Sequence, residues 1–212
     1  LGKKITVTVT ARLTGHADGS ATSAAVTVAR GDAPKATIAP VISGTVKVGA
    51  TVGVGRGAWS PKPSSWAYQW KADGVAISGA TGTTYAVPAS LLGKKITVTV
   101  TARLTGHADG SATSAAVTVA RGDAPKATIA PVISGTVKVG STLAVGRGAW
   151  SPKPSSWAYQ WYANGAAISG ATAATLPLKA AQRGRTITVK VTAHLTGHAS
   201  GSAVSKATKA VV

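Results

Sequence analysis

The chain has 212 residues, 44% of them hydrophobic, and it carries 23 Lys and Arg against five Asp and no Glu, a formal net charge of +18. This length and composition allow a buried core and exclude a disordered tail. Cysteine is absent, which excludes a disulfide framework and a thiolate metal site. No apolar run approaches the ~18 residues of a membrane span, and the first residues lack the layout of a signal peptide, so we expect any targeting signal to lie outside this sequence.

The first predicted element is a two-stranded hairpin in residues 1–32. The same 32 residues recur without change at 92–123, where residues 96–104 alternate between apolar and polar side chains. That alternation predicts a strand with one solvent-facing side, and we expect its partner strand at 112–119.

The identity between the two hairpins belongs to a tandem repeat. Residues 33–49 are identical with residues 124–140, at the same spacing of 91 residues, and the second copy diverges most near its C-terminal end. Such near-identity indicates a recent duplication. The chain is therefore most simply interpreted as part of a longer array of repeats.

Between the two hairpins, the sequence predicts short strands separated by Gly, Pro, Ser and Asp. In chain order these strands lie at residues 37–42, 46–48, 51–54, 66–72, 75–77 and 84–87. About seven or eight short strands in ~90 residues are typical of an antiparallel β-sandwich. The fold class predicted from the pattern is therefore all-β.

Composition also predicts the domain boundaries. Residues 29–35 and 120–126 combine Gly, Pro and charge, as linkers do, whereas residues 88–94 carry two leucines suited to a buried turn. We therefore expect one module at 33–123 and a second at 124–212. Residues 1–32 are then the C-terminal hairpin of a truncated preceding module.

The first hairpin presents a physical problem, because an isolated two-stranded hairpin with one apolar face is marginally stable in water. We expect residues 1–32 to need a partner. The two alternatives are docking on a neighbouring chain, which is self-association, and docking on the adjacent module.

Five segments of the repeat carry a resemblance to a known family. They are APVISGTVKVG at 39–49, GAWS at 57–60, YQW at 68–70, GVAISGAT at 74–81 and GKKITVTV at 93–100. In this order they resemble bacterial immunoglobulin-like tandem-repeat modules of secreted and surface proteins of actinobacteria and related Gram-positives. The resemblance implies tandem immunoglobulin-like antiparallel β-sandwiches, often appended to wall hydrolases, glycan-active enzymes or adhesins. It says little about function, because such modules accompany many activities.

The tryptophans form the first candidate site. The segment WSPKPSSW places Trp59, Lys62 and Trp66 around one turn, and the second copy repeats them as Trp150, Lys153 and Trp157. One interpretation is that these side chains cover the end of the core. The alternative is an aromatic and cationic patch that stacks a glycan ring.

Other aromatic residues are expected in the core. Trp70 and its copy Trp161 fall where an immunoglobulin-like strand C places its core Trp. Tyr68 lies on the same face of strand 66–72 as Trp70, so we expect Tyr68 and Tyr159 to be core residues as well.

The basic side chains form the second candidate site. A field of this sign favours polyanions such as nucleic acid, anionic lipid or the phosphate-bearing polymers of a bacterial wall. Nucleic acid is the weaker expectation because no recognised nucleic-acid-binding motif is present. The expected polyanion contacts are Arg56, Lys94, Lys95, Arg103 and Arg147.

Catalytic and metal sites are not expected, and neither is a cofactor. Asp73 and Asp109 become Asn164 and Ser200 in the second copy, so no carboxylate pair recurs. The four histidines lie in or beside Leu-Thr-Gly-His turns, which offer at most two metal ligands each. The tripeptide Arg-Gly-Asp at 30–32 and 121–123 lies in the predicted linkers, where Gly and Asp serve turn chemistry.

Together these features predict a non-catalytic array of an extracellular or cell-wall-associated bacterial protein. It would act as a spacer and as a salt-dependent anchor to anionic wall polymer. The first alternative is a carbohydrate-binding module of a secreted glycan hydrolase, which would use Trp59 and Trp66. The second is a fibre-forming or adhesive surface protein assembled through edge strands.

Overall fold

The computed structural model describes residues 1–212 and confirms the all-β fold class. Every pair of named strands is antiparallel, and the only helices are two single 3₁₀ turns, Ala89–Leu91 and Ala180–Gln182. Neither helix is long and apolar enough to cross a membrane.

Residues 124–212 form an immunoglobulin-like sandwich. One sheet has the order Ala166–Ala167, Ser156–Ala163, Ile187–His194 and Gly201–Val204. The second has the order Val132–Ser134, Thr142–Gly146 and Thr175–Pro177, while Lys126–Ile129 pairs with Ala149–Ser151. A four-stranded sheet of this order facing a smaller one matches the division of strands in an immunoglobulin-like domain.

The core of this sandwich lies between the two sheets. Ile187, Val189 and Val191 alternate along their strand and are fully buried, since every second side chain points inward. Leu143 and Trp161 are also fully buried, and they join this core from the facing sheet and from the neighbouring strand. Burial of each such side chain stabilises the fold by roughly 1.5–3 kcal/mol.

Residues 33–123 show the same strand pairings. The larger sheet consists of Val75–Ala76, Ser65–Ala72, Lys95–Arg103 and Gly110–Thr113, with Val117–Thr118 also on Lys95–Arg103. The smaller sheet consists of Thr84–Ala86, Thr51–Gly55 and Val41–Ser43, and Lys35–Ile38 pairs with Ala58–Ser60.

The structure corrects the predicted strands at four places. The strand at 37–42 is split at Pro40, which has no N–H to donate to a sheet. The strand at 112–119 is interrupted at Ser114, whose hydroxyl accepts the Val98 amide and donates to the Ala115 carbonyl. Residues 46–48 form no strand, although Lys47 makes an isolated bridge with Ala120. The strand Ala58–Ser60 was not predicted, and it is defined by its pairing with Lys35–Ile38.

The chain divides into two compact units whose boundaries differ from the predicted linkers. One comprises Leu1–Gly44, Val52–Tyr85 and Lys95–Val117, and the other comprises Thr45–Thr51, Ala86–Lys94 and Thr118–Val212. The division of the sequence into modules at 33–123 and 124–212 stays a prediction.

The first hairpin is folded but uncovered. It contains the strands Lys4–Ile5, Thr8–Ala11, Gly19–Thr22 and Val26–Thr27, and all of their residues are exposed. Ile5, Val7 and Val9 expose 60% or more of their surface. Docking of this face on the adjacent module is therefore wrong. Docking on a neighbouring chain stays a prediction.

Candidate functional site

Two tryptophans meet in each copy of the repeat where the segment WSPKPSSW turns. Trp59 lies on the strand Ala58–Ser60 and Trp66 on the strand Ser65–Ala72, so the turn between the strands brings the two rings together. Their centroids are 5.6 Å apart with an interplanar angle of 70°. In this edge-to-face arrangement the two rings pack on each other and do not form one flat surface.

Arg56, which the sequence predicted only as a polyanion contact, completes this cluster. The guanidinium carbon of Arg56 lies 5.5 Å from the centroid of Trp66 and 5.8 Å from that of Tyr68. Its Nε–H donates to the hydroxyl of Tyr68. The Trp66 ring attracts the cation through its quadrupole, and the hydrogen bond to Tyr68 adds a second contact that holds the guanidinium in place.

The loop that carries Arg56 is itself fixed. The indole N–H of Trp59 donates to the Arg56 carbonyl over 2.7 Å. Gly57 follows with a φ of +73°, and a Cβ at this residue would collide with the Ile38 and Ala39 carbonyls. Only glycine fits this turn without strain. Gly57 therefore fixes the backbone next to Arg56 and with it the position from which the arginine side chain extends. We call Arg56, Trp59, Trp66 and Tyr68 the arginine–aromatic cluster.

The second module contains the same cluster, made by Arg147, Trp150, Trp157 and Tyr159. The guanidinium carbon of Arg147 lies 5.6 Å from Trp157 and 6.0 Å from Tyr159, and Nε–H donates to the Tyr159 hydroxyl over 2.6 Å. The two tryptophan centroids are 5.5 Å apart, and the indole N–H of Trp150 donates to the Arg147 carbonyl over 2.7 Å.

The aromatic rings of the cluster also close the core. Trp150 is buried with Val191 and Ala193, and the half-buried rings of Trp157 and Tyr159 pack against the same group. The guanidinium of Arg147 lies on the outer side of this group and is exposed. The cluster therefore has an inner apolar part and an outer cationic part.

The remaining aromatic candidates occupy different depths. Trp70 and Trp161 are fully buried, and their indole N–H groups donate to the carbonyls of Gly82 and Ala173 over 3.0 and 2.9 Å. Tyr68 and Tyr159, which were expected in the core, are only half-buried. Each lies at the margin of the core because its hydroxyl contacts the exposed arginine.

The basic candidates differ in how they are paired. Lys62 and Lys153 lie exposed in the WSPKPSSW turns, and Lys94 and Lys95 are exposed as well. Arg103 is exposed, but its Nε lies 3.1 Å from a carboxylate oxygen of Asp109. The stacked Arg56 and Arg147 form no ion pair.

The Arg-Gly-Asp segment at 121–123 is bound into the fold. Gly122 is buried and forms a bridge with His198, while the Asp123 carboxylate contacts the Lys47 ammonium over 2.6 Å. The hydrogen bond and charge of Lys47 lower the pKa of Asp123. The carboxylate of this segment therefore already has a partner.

Three of the histidines contact neighbouring polar atoms in or beside their turns. The Nδ1 atoms of His107 and His198 lie within 3.1 and 3.0 Å of the Thr105 and Thr196 carbonyls, and that of His194 lies 2.8 Å from the Ser200 hydroxyl. No group of three or more metal-ligating side chains is formed.

Comparisons with known proteins give likenesses among solved structures. No family model matches the sequence, and no curated protein matches it. A structure described as tandem Ig repeats of Dlar is 18% identical, with 82% of this chain and 97% of that chain covered and a TM-score of 0.22. The immunoglobulin-like fold of this chain rests on the strand order and core of its own modules.

Proposed function

We propose that this chain is a non-catalytic array of immunoglobulin-like modules from an extracellular bacterial protein, and that it anchors its parent protein to anionic cell-wall polymer in a salt-dependent way. The modules would also act as spacers. The extracellular setting and the bacterial source are inferred from the resemblance of the repeat to surface and secreted tandem-repeat modules.

The observation that carries this proposal is the unpaired positive charge. Of the 23 Lys and Arg, only Arg12, Lys47 and Arg103 form ion pairs with an Asp. The remaining cations have no acidic partner on the chain, so their field is available to a polyanion. A wall polymer with repeated phosphate groups has the complementary charge.

Binding to purified cell wall tests the proposal. We expect the chain to sediment with wall in about 0.1 M salt and to stay in solution in about 500 mM salt, because the screening length shortens from about 10 Å toward the ~3 Å found at 1 M. Wall from which the anionic polymer has been extracted is the matched control and should retain little protein. Retention that is unchanged in high salt would contradict an electrostatic anchor.

A carbohydrate-binding module is the second candidate, supported by the tryptophan pair that recurs in both modules. Such a module would hold a neutral glycan through Trp59 and Trp66, so its retention would not depend on salt. A pull-down with a neutral polysaccharide separates the two candidates. Salt-resistant retention that is lost in Trp66→Ala without a change in melting temperature would favour the glycan.

Assembly through edge strands is a third candidate, supported by the uncovered apolar face of residues 1–32. Chains joined in this way would show a mass that rises with concentration in analytical ultracentrifugation. A monomer at all concentrations would exclude this candidate.

A further inference from the structure

We propose that Arg56 and Arg147 are matched oxyanion sites, one in each copy of the repeat, where a guanidinium held by a tryptophan ring and a tyrosine hydroxyl binds a phosphate group of the anionic polymer. This inference deepens the anchoring function proposed above and rests on it. It assigns a specific phosphate contact to two of the 23 basic side chains. The other basic side chains contribute only to the overall positive electrostatic field.

The first argument is the free hydrogen-bonding capacity of these two side chains. The only side-chain hydrogen bond of Arg56 uses Nε–H, and the same is true of Arg147. Neither guanidinium lies within ion-pair distance of a carboxylate. Each therefore presents four Nη–H donors without a protein partner, on an exposed side chain.

The second argument is that the guanidinium is held before any ligand binds. The guanidinium carbon of Arg56 lies 5.5 Å from the Trp66 centroid, and the bond from Nε–H to the Tyr68 hydroxyl holds the side chain at a second point. A long arginine loses rotamer freedom when it binds a ligand, and this cost is reduced when the side chain is already ordered. The free Nη edge then offers two parallel N–H groups, the geometry that matches two oxygens of a phosphate.

The third argument is the recurrence of the site in successive modules. The distances from the guanidinium carbon to the two rings are 5.5 and 5.8 Å in one module and 5.6 and 6.0 Å in the other. A chain with two copies of the same site offers two equivalent contacts to ligands that carry phosphate groups.

The competing interpretation is that each arginine only covers the aromatic rings. That role needs a flat cation on Trp66 and Trp157 but makes no use of the Nη–H donors. A substitution that keeps the positive charge and loses the planar fork separates the two roles, because lysine binds phosphate as a point charge without the bidentate geometry.

The first experiment compares two double variants with inorganic polyphosphate as the probe. R56K/R147K keeps the net charge and removes both forks, while R30K/R121K makes the same change at two exposed arginines outside the clusters. We expect R56K/R147K to bind polyphosphate at least about tenfold more weakly, the value of one lost charge-assisted hydrogen bond, and R30K/R121K to change by less than about twofold. Melting temperatures of both variants verify that the modules stay folded.

A second variant tests the positioning role of the tyrosines. Y68F/Y159F keeps the ring, the charge and the stack but removes the hydroxyl that orients Nε–H. Binding of polyphosphate should weaken by about two- to fivefold, because the hydroxyl orders the guanidinium before binding and does not itself contact the ligand. Unchanged binding of polyphosphate in R56K/R147K and in Y68F/Y159F would overturn the site.

Three probes distinguish the source of the phosphate. We expect weak binding of inorganic phosphate, tight binding of polyphosphate, and the same loss for both in R56K/R147K. Vesicles of phosphatidylglycerol that bind more tightly than polyphosphate would overturn the polymer as the ligand.

Failure of this site and failure of the anchoring function give different results. If wild-type chain and R56K/R147K sediment equally with cell wall, the general field binds the polymer and the site is wrong. A second result is that the wild-type chain does not bind wall, while R56K/R147K still binds polyphosphate more weakly than the wild-type chain does. The oxyanion site then stands, and cell wall is wrong as its target.

Discussion

Residues 1–32 and 92–123 have the same sequence and lie in opposite environments. Ile96, Val98 and Val100 are fully buried, whereas Ile5 and Val7, at the first two of these positions in the earlier copy, are each 60% exposed. The second copy runs as one continuous strand, Lys95–Arg103, because it pairs along its length with Ser65–Ala72. The first copy has no such neighbour and breaks into two short strands.

The local hydrogen bonds, in contrast, are the same in both copies. The hydroxyls of Thr8 and Thr22 lie 2.8 Å apart, and those of Thr99 and Thr113 lie 2.9 Å apart. The Arg12–Asp18 pair at 3.2 Å corresponds to Arg103–Asp109 at 3.1 Å. The hairpin and its turn are therefore set by local sequence, while its strand length and burial are set by what lies beside it.

The largest expected difference comes from one isoleucine at the same position in each copy. Ile96→Ala should lower the free energy of unfolding of its module by about 2–5 kcal/mol, because it leaves a cavity in a packed core. Ile5→Ala, the matched control, should change it by less than about 0.5 kcal/mol. Denaturant titration of both variants measures the difference, and equal effects would show that the two faces are equally buried.

A smaller difference is expected at the serine that interrupts the second strand of the hairpin. The Ser114 hydroxyl accepts the buried Val98 amide over 3.0 Å, and Ser114→Ala should cost roughly 1–3 kcal/mol because that donor loses its partner.

Ser23 makes the same bond to Val7, but in an exposed setting. Water can replace the serine there, so Ser23→Ala should have a much smaller effect in the same denaturant titration. A loss of stability in Ser23→Ala as large as in Ser114→Ala would contradict the difference in burial.

The smallest expected effect is electrostatic and concerns the last residue of each copy. Asp123 pairs with Lys47, whereas Asp32 forms no ion pair. Because Lys47 lowers the pKa of Asp123, the pair stabilises the folded chain above the ordinary carboxyl pKa, and this contribution is lost as the pH falls through the lowered pKa. Lys47→Ala should raise the pKa of Asp123 in an NMR titration. Lys138→Ala, at the same position of the next repeat, should leave it unchanged.

Periodicity predicted most of the fold from the sequence. The alternation in residues 96–104 predicts the central strand to within one residue at each end, because a sheet with one buried face leaves a period of two. The break at Pro40 needed only the rule that proline lacks an amide donor. The environment of residues 1–32 could not be predicted by the same reasoning, since an identical sequence occurs in a buried strand.

The arginine–aromatic cluster was predicted in part. The two tryptophans of WSPKPSSW were expected to meet across a turn, and they do so in both modules. Arg56 was predicted as a polyanion contact, without any partner inside the chain. Its contact with Tyr68 joins a residue of the loop at 56–57 to a residue of the strand Ser65–Ala72, and no sequence period relates them.

Hydrogen exchange of the shared peptide tests most directly whether neighbours, not local sequence, determine the state of each hairpin. Residues 5–13 and 96–104 yield the same peptide with the same mass, so both copies are measured in one spectrum. We expect two isotopic envelopes of equal intensity, a fast one from the uncovered copy and a slow one from the buried copy. A single slow envelope would contradict the account, because it would show that residues 1–32 are covered in solution as completely as residues 92–123.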